Sequence, residues 1–332
     1  MSQIILTGIG DVDDNVRLEK NPDLTIDAGD LLVAIEAAPV NPADFLLANG
    51  WYGVRPEIPS TLGSEGVGRV LEAGSVSDRE LVGKRVVILP TYEQGTWSDR
   101  VVVPSRNVVV VPEDADALQL SMLAINPATA HILLNRYVDL KPGEWIGQNL
   151  GNSAVGQIVI ALAKLAGVRT LSVVRREEAA EQLRALGADV VLVDGDDLGE
   201  RIAEALGGTR LRLVLDGAGG TTPGALAGAL EFGGTVVSYS STTGESSPLP
   251  LGDLIYREIT LRGFWLVNWI RNAPRAEIEK TYSELADLVA RGVLTVPVEA
   301  TYALDQYREA FAHARTPGRA GKVLFAPKTA SA

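Results

Sequence analysis

The feature that most constrains the fold is an alternation of short apolar runs with helix-length segments in the middle of the chain. The runs are rich in Val, Ile and Leu, as in strands that a parallel sheet buries on both faces. The predicted strands are Trp145–Asn149, Thr170–Val174, Val190–Val193, Leu211–Leu215, Gly234–Tyr239 and Ile259–Gly263. The predicted helices between them are Val155–Ala166, Glu177–Leu186, Leu198–Leu206 and Gly224–Glu231. This order predicts an α/β fold with right-handed crossovers and a doubly wound parallel sheet.

The sequence on either side of this region has a different character. Its first part contains β-rich runs separated by Gly, Pro and Asp, which predicts a small, mostly β domain. These runs are Leu31–Ala37, Gly66–Glu72, Lys84–Leu89 and Trp97–Val103. The last part offers a helix at about Arg275–Arg291, a strand, a short helix and a strand at Gly321–Phe325. These closing elements are too few for a separate core, so we predict one domain from residues 1–118 and 268–332 and another from residues 119–267.

Charge and composition exclude several classes of function. The formal net charge is −12 and the pI is about 4.8, which disfavours nonspecific binding to nucleic acids or anionic membranes. We see no apolar run long enough to span a membrane and no signal-peptide pattern, so we expect a cytoplasmic protein. The chain has no cysteine, and its histidines are His131 and His313. Disulfides, a thiolate nucleophile and the usual three-ligand zinc site are therefore not expected.

A glycine-containing segment joins the first predicted strand of the parallel sheet to the first predicted helix. It runs from Gln148 to Gly156. Glycine lets the backbone approach a pyrophosphate, and the positive end of the helix dipole favours its charge. The segment departs from strict G-x-G-x-x-G, and a plain strand-to-helix turn is the alternative. The predicted cofactor-binding residues are Asn149, Gly151, Asn152, Ser153, Ala154, Val155 and Gly156.

The end of the second predicted strand indicates which dinucleotide would bind. Val174 is followed by Arg175 and Arg176, where an enzyme selective for NADH would place an acidic residue against the ribose hydroxyls. Guanidinium groups suit the 2′-phosphate of NADPH. The alternative is a solvated helix start in which the arginines pair with Glu177 and Glu178. We predict NADPH as the cofactor.

Several short motifs follow one another in an order that resembles a known family. They are Asn41-Pro42-Ala43-Asp44, Tyr52-Gly53, Gly63-Ser64-Glu65-Gly66, Gly95-Thr96-Trp97, Asn126-Pro127-Ala128-Thr129-Ala130 and Gly263-Phe264-Trp265-Leu266. With the Gln148–Gly156 loop, they resemble the mitochondrial-type trans-2-enoyl-CoA/ACP reductases, zinc-free members of the medium-chain dehydrogenase/reductase superfamily that are related to quinone oxidoreductases. The resemblance covers about residues 31–325. It implies a Rossmann NADPH-binding domain and a GroES-like, mostly β catalytic domain.

The resemblance also implies how the substrate is activated. In zinc alcohol dehydrogenases of this superfamily, the position matching Asn41 is a cysteine ligand and the position matching Ser64 is a histidine ligand. With neither ligand present, activation is expected to come from hydrogen bonds and an acid. The proton donor of the family corresponds to Tyr52, whose phenol is protonated at neutral pH. An exposed loop aromatic is the alternative interpretation of this residue.

Other site residues follow from the resemblance alone. Asn41, Trp97 and Thr129 match positions that line the nicotinamide or acyl cleft, although capping or packing roles are the alternatives. Cofactor contacts are implied for a second group, whose alternatives are core packing and a solvated lysine. This group is Phe264, Trp265, Leu266 and Lys322. Relatives are usually homodimers that join sheet edges, which implies an interface at residues 255–266.

The resulting hypothesis is reduction of an activated C=C bond. NADPH would supply hydride to Cβ of an enoyl thioester, and Tyr52 would supply a proton to Cα. An NADPH:quinone reductase and an enone or enal reductase are the alternatives of the same class. A catalytically idle NADPH-binding protein is the alternative from another class.

Overall fold

A computed structural model describes residues 1–20, 24–319 and 321–326. The chain forms two compact units. Unit 1 comprises residues 1–125 and 267–332, and unit 2 comprises residues 126–266. The predicted domain of residues 1–118 and 268–332 also contains residues 21–23, 320 and 327–332, which lie outside the described residues.

The first part of unit 1 is dominated by β-strands. Its strands are β1 Ser2–Leu6, β2 Val16–Lys20, β3 Asp30–Pro39, β4 Ser60–Thr61, β5 Gly66–Ala73, β6 Arg85–Ile88, β7 Arg100–Pro104 and β8 Val108–Val110. Its α-helices are α1 Val12–Asn15, α2 Pro42–Ala48 and α3 Ala117–Ser121. Pro42 suits the first turn of α2, where its missing N–H costs no helical hydrogen bond. Strands β2, β1 and β4 form a small antiparallel sheet.

Unit 2 confirms the predicted α/β fold class. Its strands are β9 Trp145–Gln148, β10 Arg169–Val174, β11 Val190–Val193, β12 Leu211–Asp216, β13 Leu230–Ser238 and β14 Thr260–Gly263. Its helices are α4 Asn126–Asn135, α5 Ala154–Leu165, α6 Glu177–Leu186, α7 Leu198–Leu206, α8 Thr222–Gly228 and α9 Leu251–Tyr256. Within residues 126–266, which are all described, the strands are parallel in the order β11-β10-β9-β12-β13-β14. This is the doubly wound arrangement of a dinucleotide-binding sheet.

Two buried clusters in unit 2 correspond to the helices on the two faces of this sheet. One cluster includes the apolar side chains of α7 and α8, and the other includes those of α5 and α6. The ends of α6 fit its dipole, since Glu177 and Glu178 lie in the first turn and Gly187 ends the helix with φ of 95°. The strand order reverses between the neighbouring central strands β9 and β12. The loops that follow these two strands therefore lie close together at the carboxyl ends of the sheet.

The closing segment of the chain contains α10 Leu266–Asn272, α11 Arg275–Ala290, β15 Val298–Tyr302, α12 Tyr307–Arg315 and β16 Lys322–Phe325. Its last strand, β16, pairs with β3 of unit 1. The larger sheet of unit 1 has the order β15-β16-β3-β5-β6-β8, with β7 also paired to β3. Its core includes Trp97, Phe311 and Phe325, whose rings pack together.

In two regions the elements differ from the predictions by three residues or more. The predicted strand Trp97–Val103 begins only at Arg100, because the Trp97 backbone bonds to Ile4 of β1 and to Leu62, and the Asp99 N–H donates to Ser2 of β1. The first backbone bond to β3 is that of the Asp99 carbonyl, which accepts from the Ile35 N–H at 3.0 Å. Strand β13 begins at Leu230, inside the predicted helix Gly224–Glu231, and Leu230 is fully buried in the core. No helix among the described residues is long and apolar enough to cross a membrane.

Candidate active site

The loop between β9 and α5 has the local structure that its glycines predict. The Ser153 hydroxyl caps α5 by accepting a hydrogen bond from the Gly156 N–H, 3.1 Å away. A Cβ at Gly156 would lie 2.5 Å from the carbonyl oxygen of Gly151, so only glycine allows the helix this close to the loop. The N-terminus of α5 begins at Ala154 and Val155, where the helix dipole favours an anion.

A buried carboxylate, Asp216 at the end of β12, organises the loops beyond the sheet. Its oxygens accept hydrogen bonds from the Asn149 side chain at 2.7 Å, the Gly219 N–H at 2.9 Å, and the hydroxyls of Ser238 and Ser247 at 2.8 and 2.6 Å. Burial alone would raise the pKa of Asp216, but these hydrogen bonds hold it below its ordinary value. Asn149, predicted to bind the cofactor, therefore also fixes this loop.

A cavity of about 150 Å³ opens at this edge of the sheet in unit 2. It brings together Asn149, Asn152 and Arg175 from the predicted cofactor-binding set. The lining also contains residues that the sequence analysis missed, namely Asp194, Ala218, Gly219, Gly220, Thr221, Thr222, Thr242, Thr243 and Glu245. Most of these residues follow β11, β12 and β13, so the rule that ligands bind beyond the carboxyl ends of parallel strands would have located them.

The donor set of this cavity fits a phosphorylated dinucleotide. Arg175 is the cationic residue of the lining, and the hydroxyls of Thr242 and Thr243 lie in the same cavity. Arg176 is exposed at the N-cap of α6 and is not part of the lining of this cavity.

Gly151 allows the β9–α5 loop to pack closely against β10 and α6. A Cβ at Gly151 would lie 2.9 Å from the Leu183 side chain and 3.0 Å from Ser172, so a larger residue would force these neighbours to move.

The remaining predicted residues of unit 2 have varied surroundings. The Phe264 N–H donates to Ser238, and its ring contacts Tyr137 with ring centres 6.4 Å apart. Trp265 is partly buried and Leu266 is buried. Thr129 is 6% exposed within α4. These residues could therefore contact a cofactor only through their backbone atoms or through the exposed parts of their side chains.

In unit 1, Asn41 and Lys322 meet although 281 positions separate them in the chain. The Lys322 ammonium donates to Asn41 Oδ1 at 2.5 Å, and Asn41 Nδ2 donates to Glu65 Oε1 at 2.9 Å. Glu65 Oε2 accepts from the Ile125 N–H at 2.8 Å. Asp44 accepts from the backbone N–H groups of Asn41 and Ser64 at 2.8 and 3.0 Å. We call Asn41, Asp44, Glu65 and Lys322 the buried charge cluster.

Burial dominates the electrostatics of this cluster. It raises the pKa of Glu65 to about 7 and that of Asp44 to about 6, although Lys322 opposes both shifts. Burial also lowers the pKa of Lys322, while Glu65 and Asp44 raise it in part. The cluster therefore holds carboxyl groups that exchange protons near neutral pH.

Tyr52 lies beside a second tyrosine, Tyr92, in unit 1. The two ring centres are 5.2 Å apart and the rings are inclined by 54°. Burial raises the pKa of Tyr92 well above its usual range, and Tyr52, Asp44 and Glu65 raise it further. Trp97, by contrast, is fully buried in the core, where its Nε1–H donates to the Pro39 carbonyl at 3.1 Å.

Comparisons with known proteins agree with this architecture. Residues 27–113 match the alcohol dehydrogenase GroES-like domain, and residues 154–291 match the zinc-binding dehydrogenase domain. The mitochondrial enoyl-[acyl-carrier-protein] reductase of Xenopus tropicalis is 34% identical over 307 residues, which cover 90% of this chain and 87% of the relative. The chain is thus a medium-chain dehydrogenase/reductase and belongs to the family of mitochondrial-type enoyl-[acyl-carrier-protein] reductases.

Solved structures show the same fold. A mycobacterial quinone oxidoreductase superposes with a TM-score of 0.88 at 28% identity, over 98% of this chain and 100% of that chain. Etr1p in complex with NADP and crotonyl-CoA superposes with a TM-score of 0.84 at 24% identity, over 98% and 99% of the two chains.

The name of the matched zinc-binding family raises the question of a metal. Within the described residues, no group of three or more His, Cys, Asp or Glu side chains could hold one. The family resemblance implies that Asn41 and Ser64 match positions of zinc ligands in alcohol dehydrogenases, and the Lys322 ammonium donates to Asn41 Oδ1. An ammonium in this position repels a metal ion, so the residues of this site do not fit zinc.

Proposed function

We propose that this protein is an NADPH-dependent reductase of activated C=C bonds and that its substrate is a trans-2-enoyl thioester, carried on CoA or on an acyl carrier protein. The observation that carries the proposal is the position of Tyr52 in a chain of the enoyl reductase family. Its phenol lies in unit 1 beside Tyr92, which interacts electrostatically with Asp44 and Glu65 of the buried charge cluster. Protonation of an enolate requires a proton donor of this kind.

The cofactor is assigned to NADPH, which supplies hydride to Cβ of the alkene when it is bound. Arg175 in the cavity of unit 2 would pair with the 2′-phosphate. Arg176 lies outside this lining and remains a predicted contact. The β9–α5 loop with its glycines would hold the pyrophosphate, through Asn149, Gly151, Asn152, Ser153, Ala154, Val155 and Gly156. Phe264, Trp265, Leu266 and Lys322 remain predicted cofactor contacts. Etr1p, which has the same fold, binds NADP together with crotonyl-CoA.

The residues of this chain would contribute hydrogen bonds and a proton to the reaction. Hydride addition at Cβ leaves negative charge on the thioester oxygen, which donors such as Asn41 and Thr129 would stabilise. Tyr52 then gives its proton to Cα: the O–H bond breaks, the C–H bond forms, and solvent returns a proton to the phenolate. Trp97 would act by supporting the site, since its side chain is in the core.

The same proposal gives each domain a role. Residues 1–118 and 268–332 would form the catalytic domain and residues 119–267 the NADPH-binding domain.

One edge of the unit 2 sheet carries exposed apolar side chains. They are Leu251, Ile255, Tyr256 and Leu261, on α9 and on the edge strand β14. We propose that two copies of the chain form a homodimer through this edge. A cytoplasmic location remains a prediction that cell fractionation would test.

A quinone reductase is the second candidate, because the mycobacterial quinone oxidoreductase shares the fold at 28% identity. The test measures NADPH oxidation with crotonyl-CoA, a longer enoyl-CoA, a simple enone and a quinone under one set of conditions. We expect the highest kcat/KM with one of the thioesters. A higher kcat/KM with the quinone would assign the protein to the second candidate. Tight NADPH binding without turnover of any substrate would indicate a non-catalytic protein.

A further inference from the structure

Tyr92 has an unusual backbone for a bulky residue. Its φ is 64°, in the left-handed region that glycine and asparagine adopt more readily. Such a conformation is strained and persists only where surrounding contacts enforce it. Strain of this kind occurs often at functional sites.

The loop around Tyr92 is fixed on both sides. The Gln94 side chain donates to the Leu89 carbonyl at 3.0 Å and accepts from the Asn107 side chain at 3.0 Å. The Thr91 N–H also donates to the Leu89 carbonyl, at 2.8 Å. A Cβ at Gly95 would lie 2.4 Å from the backbone of Thr61, so the loop is closely packed there. These contacts hold Tyr92 in its strained conformation.

The hydroxyl of Tyr92 lies next to the proposed proton donor. It is buried, and the side chain that acts on it through a hydrogen-bonding interaction is that of Tyr52. The rings of the two tyrosines are 5.2 Å apart between their centres. Both the strained backbone and the buried hydroxyl of Tyr92 are therefore found beside Tyr52.

We propose that Tyr92 is a positioning residue for Tyr52, and that its hydroxyl donates a hydrogen bond to the phenolate that Tyr52 becomes after giving its proton to Cα. This inference rests on the proposed function. The two side chains already interact in the resting state, and the hydrogen bond tightens when negative charge appears on Tyr52, as catalytic hydrogen bonds often do during reaction. A hydrogen bond to a charged acceptor is stronger than one to a neutral acceptor.

The surrounding charges explain why a neutral donor is needed there. Asp44 and Glu65 both act on Tyr92, and negative charge on them opposes a phenolate nearby. Lys322 offsets part of their charge from within the buried charge cluster. Because burial raises the pKa of Tyr92 well above its usual range, Tyr92 keeps its proton and donates a hydrogen bond without becoming charged. The proposed function accordingly assigns the proton that reaches Cα to Tyr52.

The test is Tyr92→Phe, which keeps the ring and removes the hydroxyl. We expect kcat with crotonyl-CoA to fall about ten- to one-hundredfold, the range for losing a hydrogen bond to a charged group. The KM values and the Kd of NADPH should change by less than about twofold, because the lost bond is strong only when Tyr52 carries negative charge. The alkaline limb of the kcat–pH profile should move to higher pH, because loss of the hydrogen bond makes the acid hold its proton more tightly.

Three further variants separate positioning from general damage. Tyr92→Gly relieves the backbone strain and removes the ring, and kcat should fall at least as far as in Tyr92→Phe. The double variant Tyr52→Phe/Tyr92→Phe should be no slower than Tyr52→Phe alone, because there is then no phenolate to stabilise. Tyr302→Phe is the matched control, since it removes a hydroxyl of unit 1 that is bonded to His313 at 2.9 Å.

The outcomes distinguish this inference from the proposed function. A wild-type enzyme that reduces crotonyl-CoA and depends on Tyr52, combined with a Tyr92→Phe variant of unchanged kcat and unchanged pH profile, would overturn the role of Tyr92 alone. A lower kcat with an unmoved alkaline limb and additive double-variant effects would also overturn it. If the wild-type enzyme reduces no enoyl thioester, the proposed function fails and the role of Tyr92 fails with it.

Discussion

The pKa values of two groups of buried carboxyl side chains in this protein are shifted in opposite directions. In unit 2, Asp216 accepts hydrogen bonds from two side-chain hydroxyls, an amide side chain and backbone N–H groups, and its pKa lies below the ordinary value although the residue is buried. In unit 1, Glu65 and Asp44 each accept fewer hydrogen bonds, and burial raises their pKa values to about 7 and about 6.

The difference shows that hydrogen-bond donors offset the effect of burial on the pKa of Asp216 more completely than they do for Glu65 and Asp44. A carboxylate with many donors stays ionised and serves as a fixed anchor for loops, which suits the predicted dinucleotide site. Carboxyl groups with few donors exchange protons near neutral pH, which suits surroundings where an acid must act. Lys322 is the cation that keeps the second centre from being more strongly protonated.

The largest effect on stability is expected when the Asp216 carboxylate of unit 2 is removed. Asp216→Ala would leave Asn149, Ser238, Ser247 and the Gly219 N–H without their acceptor. We expect the free energy of unfolding to fall by roughly 3–5 kcal/mol, measured by denaturant titration. Asp139→Ala is the control in the same unit, because that side chain is 83% exposed. A loss as small as that of the control would show that the network does not stabilise the loops.

The pH dependence of stability should differ in sign between the two centres. Glu65 takes up a proton more readily when folded, so the stability it contributes is present below its ordinary pKa of 4.5 and is lost as the pH rises through about 7. Relative to Glu65→Gln, the wild-type protein should therefore lose about 3 kcal/mol between these pH values. Asp216 contributes stability above its ordinary pKa of 3.8, and this is lost as the pH falls.

The measurement is the free energy of unfolding of the wild-type protein and Glu65→Gln at several pH values. Glu57→Gln, which changes an exposed side chain of unit 1, is the matched control. A difference between wild type and Glu65→Gln that is constant with pH would contradict the shifted pKa and, with it, the contrast between the centres.

A smaller effect, on the affinity for NADPH, is expected at the predicted dinucleotide site. Arg175→Ala should raise the Kd of NADPH about tenfold, the size of a modest charge-assisted contact, while the Kd of NADH changes little. Arg184→Ala is the control, because this exposed arginine of α6 pairs with Glu177. Equal losses for NADPH and NADH in the Arg175 variant would show that the guanidinium does not recognise the 2′-phosphate.

The same contrast explains how far the sequence could predict the structure. The site in unit 2 is local, because Gly151, Ser153 and Gly156 lie within six positions and act through backbone geometry. Alternating strands and helices predicted the parallel sheet, and the loop after the first strand predicted the N-terminus of α5. The loops after β12 and β13 were missed because their residues, such as Thr242 and Thr243, carry no motif of their own.

The site in unit 1 could not be derived from local patterns. The contact between Asn41 and Lys322 joins distant positions through the pairing of β16 with β3. The proximity of Tyr92 to Tyr52 depends on a strained backbone that neither the composition nor the periodicity of the sequence indicates. Only the family resemblance pointed to Tyr52 and Asn41, and it did not point to Glu65, Asp44 or Tyr92 as their neighbours.

Steady-state turnover of Tyr52→Phe with crotonyl-CoA and NADPH tests the central claim most directly. If the Tyr52 phenol delivers the proton to Cα, kcat should fall by about 10²–10⁴-fold, the usual contribution of a general acid, while the Kd of NADPH stays unchanged. A variant that turns over crotonyl-CoA at the wild-type rate would show that the proton comes from elsewhere and would contradict the assignment of Tyr52.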